Sequence, residues 1–437
     1  TLSEALMHIG KRAQSMNLMY GRNSIGIAVS DRMTNEEAWM IHKLGKGLLD
    51  TEHVFTFNQN CNGLKDVLGV DASPNLIDEL VNSELTILIG TNILEDHTVA
   101  GLNLKKAADK GKTLVVINDE ATRIDRYAKI CHNNVKDLGM LKEIVSYLAH
   151  NYKSSRKRVA DLTEERVKEI ISALGEVTVS PAAEEIAKLY LSTGKALVVF
   201  DDSKVNKDAS VLIAYMTLLS GHIGSAKDGI ILLRPNANSQ GILDMGVKPS
   251  CKDTVESLES GRIKGMIIFG EDVEPATLKM IREKCDLLVV QDVVMTEAAR
   301  LADVVLPMSL PVEDEGTYTS TERKVQRLRS MVRKSVEIRN WEAIQQLMNT
   351  YSTNSSFTSV REITEDIIKT IPAYNGARGL LKGEQSYYWT NGSSRILFEN
   401  AIAKGLAFNV LNAEKPGFDT YRNTNILRKL FNRELNN

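Results

Sequence analysis

The sequence has no closely spaced cysteines. Cys61, Cys131, Cys251 and Cys285 stand far apart, and none belongs to a CxxC pair. That excludes an iron–sulfur or zinc site built from this chain's cysteines alone, so no metal is expected on it. Four buried, reduced thiols in a cytoplasmic protein are expected instead. Aromatic residues are scarce, at 5%, which argues against a surface that stacks bases or sugars. Neither charge sign dominates: the formal net charge is −2, too balanced for a general polyanion-binding surface, and no nucleic-acid partner is expected. No apolar run approaches the roughly 18–20 residues that span a bilayer. No signal peptide is visible, and direct membrane insertion is not expected.

What is present is a long chain with ordinary globular patterning. At 437 residues it exceeds one core, which predicts two or three domains. The chain opens on Thr1, already inside an amphipathic pattern with Leu2, Ala5, Leu6 and Ile9 on one side, so an upstream segment is expected. Short β-branched runs then alternate with helical stretches, the pattern of parallel α/β sheets. The predicted strands are 24–29, 85–90, 113–118, 196–201, 265–270 and 287–292, with helices at 35–49, 98–110, 136–152 and 183–192. The charged segment 153–174 interleaves Glu164, Glu165 and Glu169 with Arg166 and Lys168, which reads as a solvated helix face. After residue 335 the alternation fades into the polar stretches 352–359 and 389–394. A helical, loop-rich appendage is predicted there.

Parallel sheets bind ligands beyond the carboxyl ends of their strands, and four strand-end stretches stand out. In 88–119 a strand delivers Gly90, Thr91 and Asn92 to a helix start. Gly90 permits a tight turn, and the hydroxyl and amide offer a phosphate seat; an ordinary strand–loop–helix junction would look the same. In 218–247 repeated glycines lead to Asn236, Asn238, Ser239 and Gln240, a set that suits a polar heterocycle or a tightly hydrogen-bonded loop junction. The third stretch, 269–278, ends a strand and places Pro275 in the first turn of a helix. The fourth, 287–329, contains the strand end Gln291–Asp292, a helix opening at Glu297, a short strand ADVVLP and a polar turn into a basic strand. His97, His132 and His222 are isolated in sequence and read as satisfied structural residues, and Glu313, Asp314 and Glu315 read as a solvated acidic turn.

Taken together, QDVVMTEAARLADVVLPMSLPVEDEGTYTSTERKVQR, NANSQGILDMGV and GTN-x-x-E-x-H resemble the molybdopterin oxidoreductases, in particular formate dehydrogenase catalytic subunits and the large iron–sulfur subunit of complex I. The resemblance is collinear over roughly residues 1–340. It implies two Rossmann-like parallel-sheet lobes, one inserted in the other: 1–52 with 195–335, and 53–194 inserted, followed by 336–437 as the appendage. It also implies a cofactor cleft lined by Gly90, Thr91, Asn92, Asn236, Asn238, Ser239, Gln240, Gln291 and Asp292.

The departures from that family bear on function. Catalytic formate dehydrogenases carry a Cys or selenocysteine that binds molybdenum or tungsten, then a proton-relaying His, upstream of a Gly-Leu pair. Anchored on Gly63-Leu64, the equivalent positions here are Thr56 and Phe57. Phenylalanine can do neither job, and Cys61, next to Asn62, is displaced. The family's N-terminal cluster domains and its C-terminal pterin-closing domain are not recognisable in the sequence. The strand-end loop 200–210 brings Asp201 and Asp202, which oppose a pyrophosphate unless cations compensate.

The resemblance minus its ligands implies a scaffold subunit without substrate chemistry. It would sit in a soluble multi-subunit complex handling electrons from NAD(P)H, ferredoxin, hydrogen or formate. Iron–sulfur clusters would lie upstream or on partner chains, flavin on partners, and neither molybdopterin nor another cofactor is expected on this chain. An active molybdopterin enzyme with an atypical metal site, and a pure protein-interaction module, are the alternatives.

Overall fold

A computed structural model describes residues 1–68, 71–133, 139–155, 162–223, 225–250, 252–351, 356–371, 374 and 386–387. Two compact units emerge: Thr1–Cys61 with Asn236–Tyr388, and Asn62–Pro235. Both are α/β with parallel sheets. Cys251, residues 156–161 of the charged segment and the stretch 389–394 lie outside the described residues.

The first unit is built on strands β1 (Ile25–Val29) and β2 (Val54–Thr56). The second holds β3 (Leu85–Ile89), β4 (Thr113–Ile117), β5 (Ile130–His132), β6 (Ala196–Asp201) and β7 (Gly229–Leu233). The chain then returns to the first unit with β8 (Lys248–Pro249), β9 (Gly265–Phe269), β10 (Leu287–Asp292) and β11 (Val304–Pro307). The first sheet has the order β11-β10-β9-β1-β2-β8 and the second β5-β4-β3-β6-β7, with every pairing parallel.

These strands are apolar on both faces because helices cover both faces of a parallel sheet. All five residues of β1, β3 and β9 are buried. In the first unit Ala28, Phe55, Ile268, Leu288 and Val290 form one cluster with Leu278 and Ile281 of the helix Pro275–Lys284. In the second, Leu88, Val116, Val199 and Ile231 pack with Ala100 and Leu104 of the helix Thr98–Asp109. Each such Leu or Ile side chain taken wholly out of water stabilises the fold by roughly 1.5–3 kcal/mol.

Helix starts follow their capping residues. Thr34 accepts from the Glu37 amide while Glu37 returns to the Thr34 amide, opening Asn35–Lys43. Ser180 caps Pro181–Ser192, with Pro181 in the first turn, where its missing N–H costs nothing.

The division between units differs from the sequence expectation at two places. Residues 53–61 stay with the first unit because Val54 and Phe55 register with Ile27 and Ala28. Residues 195–235 join the inserted unit: Ala196–Phe200 register with Leu85–Ile89, and β7 continues outward from β6. The crossover therefore closes at Pro235, not near 195. The described part of the expected appendage is no appendage either. The helices Asn340–Asn349 and Val360–Thr370 pack on Asn35–Lys43. Trp39 Nε1 donates to Asp366 at 2.8 Å and Thr364 Oγ1 to Glu36 at 2.7 Å. A small antiparallel sheet of β12 (Gly316–Thr319), β13 (Lys324–Leu328) and β14 (Ser386–Tyr387) completes the first unit.

Candidate functional site

In the first unit the carboxyl ends of β1, β2, β9 and β10 present Asp31, Thr56, Glu271 and Gln291 in one row, set by the strand order. Gly270 takes φ +59°, and this left-handed turn starts the loop that carries Glu271. The Glu271 side chain is buried, and its Oε1 accepts three hydrogen bonds from the loop after β2. The donors are Thr56 Oγ1 at 2.5 Å, the Phe57 amide at 2.7 Å and the Asn58 amide at 3.2 Å. Glu271 Oε2 is also buried and has no partner among the described residues. Burial pushes this carboxyl up to about 8, against the downward pull of its hydrogen bonds, with Asp31 adding a further upward push. It is therefore mostly protonated near neutral pH.

Thr56 is thus a hydrogen-bond donor to a carboxyl, and the Phe57 ring turns away into apolar packing. It meets Phe55 edge-on at 5.0 Å and lies against the unit's hydrophobic cluster. Gln59 Nε2 donates to the Ser239 carbonyl at 3.1 Å, leaving its buried Oε1 without a described partner. Gln291 does the same with the Pro307 carbonyl at 3.0 Å. Since each amide nitrogen faces a carbonyl, the orientation of both amides is fixed.

The amide-rich loop resolves into the hydrogen-bonded junction. Asn236 Nδ2 donates to both oxygens of buried Asp31, at 3.0 and 2.9 Å, and Ser239 Oγ donates at 2.6 Å. Asn238 donates to the Met33 carbonyl at 2.8 Å and accepts from the Thr319 amide at 2.7 Å. Gln240 Nε2 reaches Asp244 at 3.0 Å. Asp292 accepts from the Val293 amide at 2.7 Å and from Thr296 Oγ1 at 3.3 Å, so it serves the local turn before the helix Glu297–Leu301.

The second unit has its own strand-end cluster. Gly90 adopts φ +58°. The Thr91 amide donates to Asn118 Oδ1 at 3.0 Å, and Asn118 Nδ2 returns to the Thr91 carbonyl at 3.2 Å. Asn92 Nδ2 donates to Glu95 at 2.8 Å. Thr91 Oγ1 and Asn92 Oδ1 are buried without a described partner. The paired aspartates of the loop after β6 are compensated inside the unit. Asp201 meets His97 Nε2 at 2.9 Å, and Asp202 meets the buried Arg234 at 2.5 Å. Arg234 also pairs with Asp71, and Asn62 Nδ2 donates to Asp71 at 2.7 Å and to Asp202 at 3.0 Å. Burial raises Asp202 toward about 6 and the Arg234 cation opposes that rise.

Cys61 is disulfide-bonded, so it is neither a reduced thiol nor a displaced metal ligand; Cys131 is free and exposed, while Cys285 is free and buried. The acidic turn is not solvated at its centre. Glu313 and Asp314 are buried, because Glu313 caps the amides of Leu310 and Ser335 while Asp314 accepts from Asn340 at 3.1 Å. His222 is indeed satisfied, between Asp228 at 2.6 Å and the Tyr190 carbonyl at 2.8 Å.

Sequence reading missed Asp31, Gln59 and Glu271. The stretch 269–278 carried the signal for Glu271, a carboxylate placed immediately after the strand-ending Gly270. The nine residues named for the cofactor cleft divide between the units: Gly90, Thr91 and Asn92 on the second, the other six on the first.

Parallel sheets with polar strand-end loops define the class, and the sequence assigns the family: the chain belongs to the molybdopterin oxidoreductases, whose family model matches residues 3–350. It is 25% identical to the probable oxidoreductase YjgC of Bacillus subtilis over 88% of its own length and 45% of that protein. It is 26% identical to a formate dehydrogenase subunit alpha of Methanocaldococcus jannaschii, over 82% of this chain and 62% of that one. A putative formate dehydrogenase of Staphylococcus aureus is 26% identical over 88% of this chain and 45% of its own. The chain thus spans about half the length of the curated relatives it matches. Among solved structures, acetylene hydratase from Pelobacter acetylenicus shares the fold, with a TM-score of 0.61 at 15% identity over 88% of this chain and 62% of that one.

The family implies a pterin-held molybdenum or tungsten, and at Thr56 and Phe57 the loop after β2 offers that metal neither a thiolate nor a selenolate. Soft anionic ligands are thiolates or selenolates. This loop offers a hydroxyl already donating to Glu271, a benzyl ring packed in the core, and two amides bonded to the same carboxyl.

Proposed function

We infer that this chain is a structural subunit of a multi-subunit electron-transfer oxidoreductase and performs no substrate chemistry of its own. The observation that carries the reading is the Glu271 carboxyl seated on Thr56, Phe57 and Asn58. Where catalytic relatives of the formate dehydrogenase type place a ligand and a proton relay, this chain places a self-contained hydrogen-bonded plug. Its contribution would be burial and fixed geometry for iron–sulfur clusters held upstream or on partner chains, with electrons drawn from NAD(P)H, ferredoxin, hydrogen or formate. Partners would carry flavin and clusters, and the assembly would work in the cytoplasm. No helix of the described residues is long and apolar enough to cross a membrane.

The test is elemental. Protein produced in cells supplied with molybdate and tungstate should contain neither metal and give no pterin fluorescence after oxidation. Stoichiometric metal would remove the reading. An active enzyme with an atypical metal environment has one observation in its favour, the buried Glu271 Oε2, an oxygen without a partner among the described residues. It requires metal that is present in the unaltered chain and lost in Glu271→Gln.

A further inference from the structure

Nine of the fifteen large apolar side chains exposed among the described residues fall within 293–332. Val294 is 65% exposed, Met295 55%, Met331 76% and Val332 51%. Hydrogen bonds gather these segments into one face. The Met308 amide donates to the Asp292 carbonyl at 3.0 Å, and the amides of Met331 and Val332 both donate to the Val312 carbonyl, at 2.8 and 3.3 Å. The face therefore runs from the loop after β10, past the outermost strand β11, to the turn at 310–312 and the projecting segment 330–335. Apolar side chains scattered singly need no explanation, whereas this concentration on one unit marks an interaction surface.

Its charge narrows the occupant. Arg327, Arg329 and Arg333 are exposed and make no ion pair with any described residue. Two of them bracket Met331 and Val332. An open hollow of about 560 Å³ is lined by Ser330–Lys334 and Arg339. A second copy related by a two-fold axis would set arginines against arginines. Membrane-surface binding characteristically uses one continuous face of an amphipathic helix, whereas here the apolar groups sit on a strand edge and turns.

We propose that this face docks an acidic protein subunit of the electron-transfer assembly, with an apolar side chain of the partner against Met331 and Val332 and its carboxylates on Arg329 and Arg333. The identity of the assembly rests on the scaffold reading above; the face itself does not.

The full chain, tagged and purified from the cells that produce it, is compared with Met331→Asp/Val332→Asp and with Arg329→Glu/Arg333→Glu. A stoichiometric subunit with flavin or iron–sulfur absorption should accompany the unaltered chain and crosslink through Lys334. Both variants should lose it by about tenfold or more at unchanged melting temperature; the charge-reversed pair removes no apolar contact and guards against a folding defect in the other. Equal recovery with both variants overturns the docking face and leaves the scaffold reading standing. Molybdenum or tungsten in the preparation removes the scaffold reading and leaves the face standing. No redox subunit on the unaltered chain overturns both. A dimer dissolved by the same substitutions, or flotation with phosphatidylserine vesicles lost in them, overturns the acidic partner in favour of a second copy or a membrane.

Discussion

At the scale of the residue, Glu271 shows how a carboxyl is kept neutral. One oxygen accepts three hydrogen bonds and the other faces no described donor, so burial favours a proton on the second. Folding raises this group from the ordinary value of 4.5 to about 8. Its contribution to stability is therefore complete below about 4.5 and is lost as pH rises through about 8. Glu37, raised to about 7 by burial and by Asp314, acts with the same sign. The melting midpoint should fall between about pH 5 and about pH 9, and Glu271→Gln should fall by less over the same range; equal falls would show that the carboxyl is ionised throughout. Gly270→Ala tests the turn behind it. At φ +59°, with Met308 Sδ 2.8 Å from the added carbon, it should lower stability by about 1–3 kcal/mol in urea unfolding. In the sequence Glu271 was legible as an acid after a strand-ending glycine but not as a buried one, and Asp31 gave no signal. An acid after a strand-ending turn reads as solvated, and only three-dimensional placement shows which amides it meets.

At the scale of the element, the strand ends of the second unit are held by charge. Arg234, just beyond β7, pairs with Asp202 after β6 and with Asp71. Removing the buried cation leaves the buried Asp202 and the half-buried Asp71 carboxylates without that counter-charge. Arg234→Met should therefore cost about 3–5 kcal/mol, measured by denaturant unfolding, and a larger loss at pH 8 than at pH 5 would identify carboxylate repulsion as the cause. Long β-branched runs were legible because a strand covered on both faces must be apolar throughout: Ala196–Asp201 and Leu287–Asp292 match their predicted bounds. Val54–Thr56 and Ile130–His132 were not, since three residues carry too little pattern to separate a strand from a loop. The division at 195 failed for another reason. Runs alike in composition cannot say which sheet they join, and register alone puts β6 beside β3.

At the scale of the molecule, the strand-end motifs QDVVMTEAARLADVVLPMSLPVEDEGTYTSTERKVQR, NANSQGILDMGV and GTN-x-x-E-x-H pointed to the family whose model matches residues 3–350. What motifs cannot convey is whether a polar loop is occupied by its own neighbours. Asn236, Asn238 and Ser239 look like a ligand-binding set in sequence, yet they serve Asp31, Met33 and Thr319. The scaffold reading makes a prediction at this scale. Thr56→Cys/Phe57→His, which rewrites the two positions where the resemblance anchored on Gly63-Leu64 puts the ligand and the relay, should still yield protein without molybdenum or tungsten by mass spectrometry, because Glu271 continues to hold the loop amides. Metal uptake by that variant would mean the remainder of the site is intact.

The six-stranded sheet is finished differently at its two sides. Beside β2 it stops at the two-residue strand β8, which ends in Pro249, whereas at the other side the edge strand β11 has four residues, ends in Pro307 and carries the exposed Val305. A proline offers no backbone N–H to a further strand, so both edges are shortened as templates, and β11, with Val304–Leu306 ahead of its proline, is the longer of the two for strand-by-strand growth into a heterologous complex or an unwanted aggregate. The contact that serves assembly and the one that must be shielded during folding are then the same, and Val305→Lys should weaken both together.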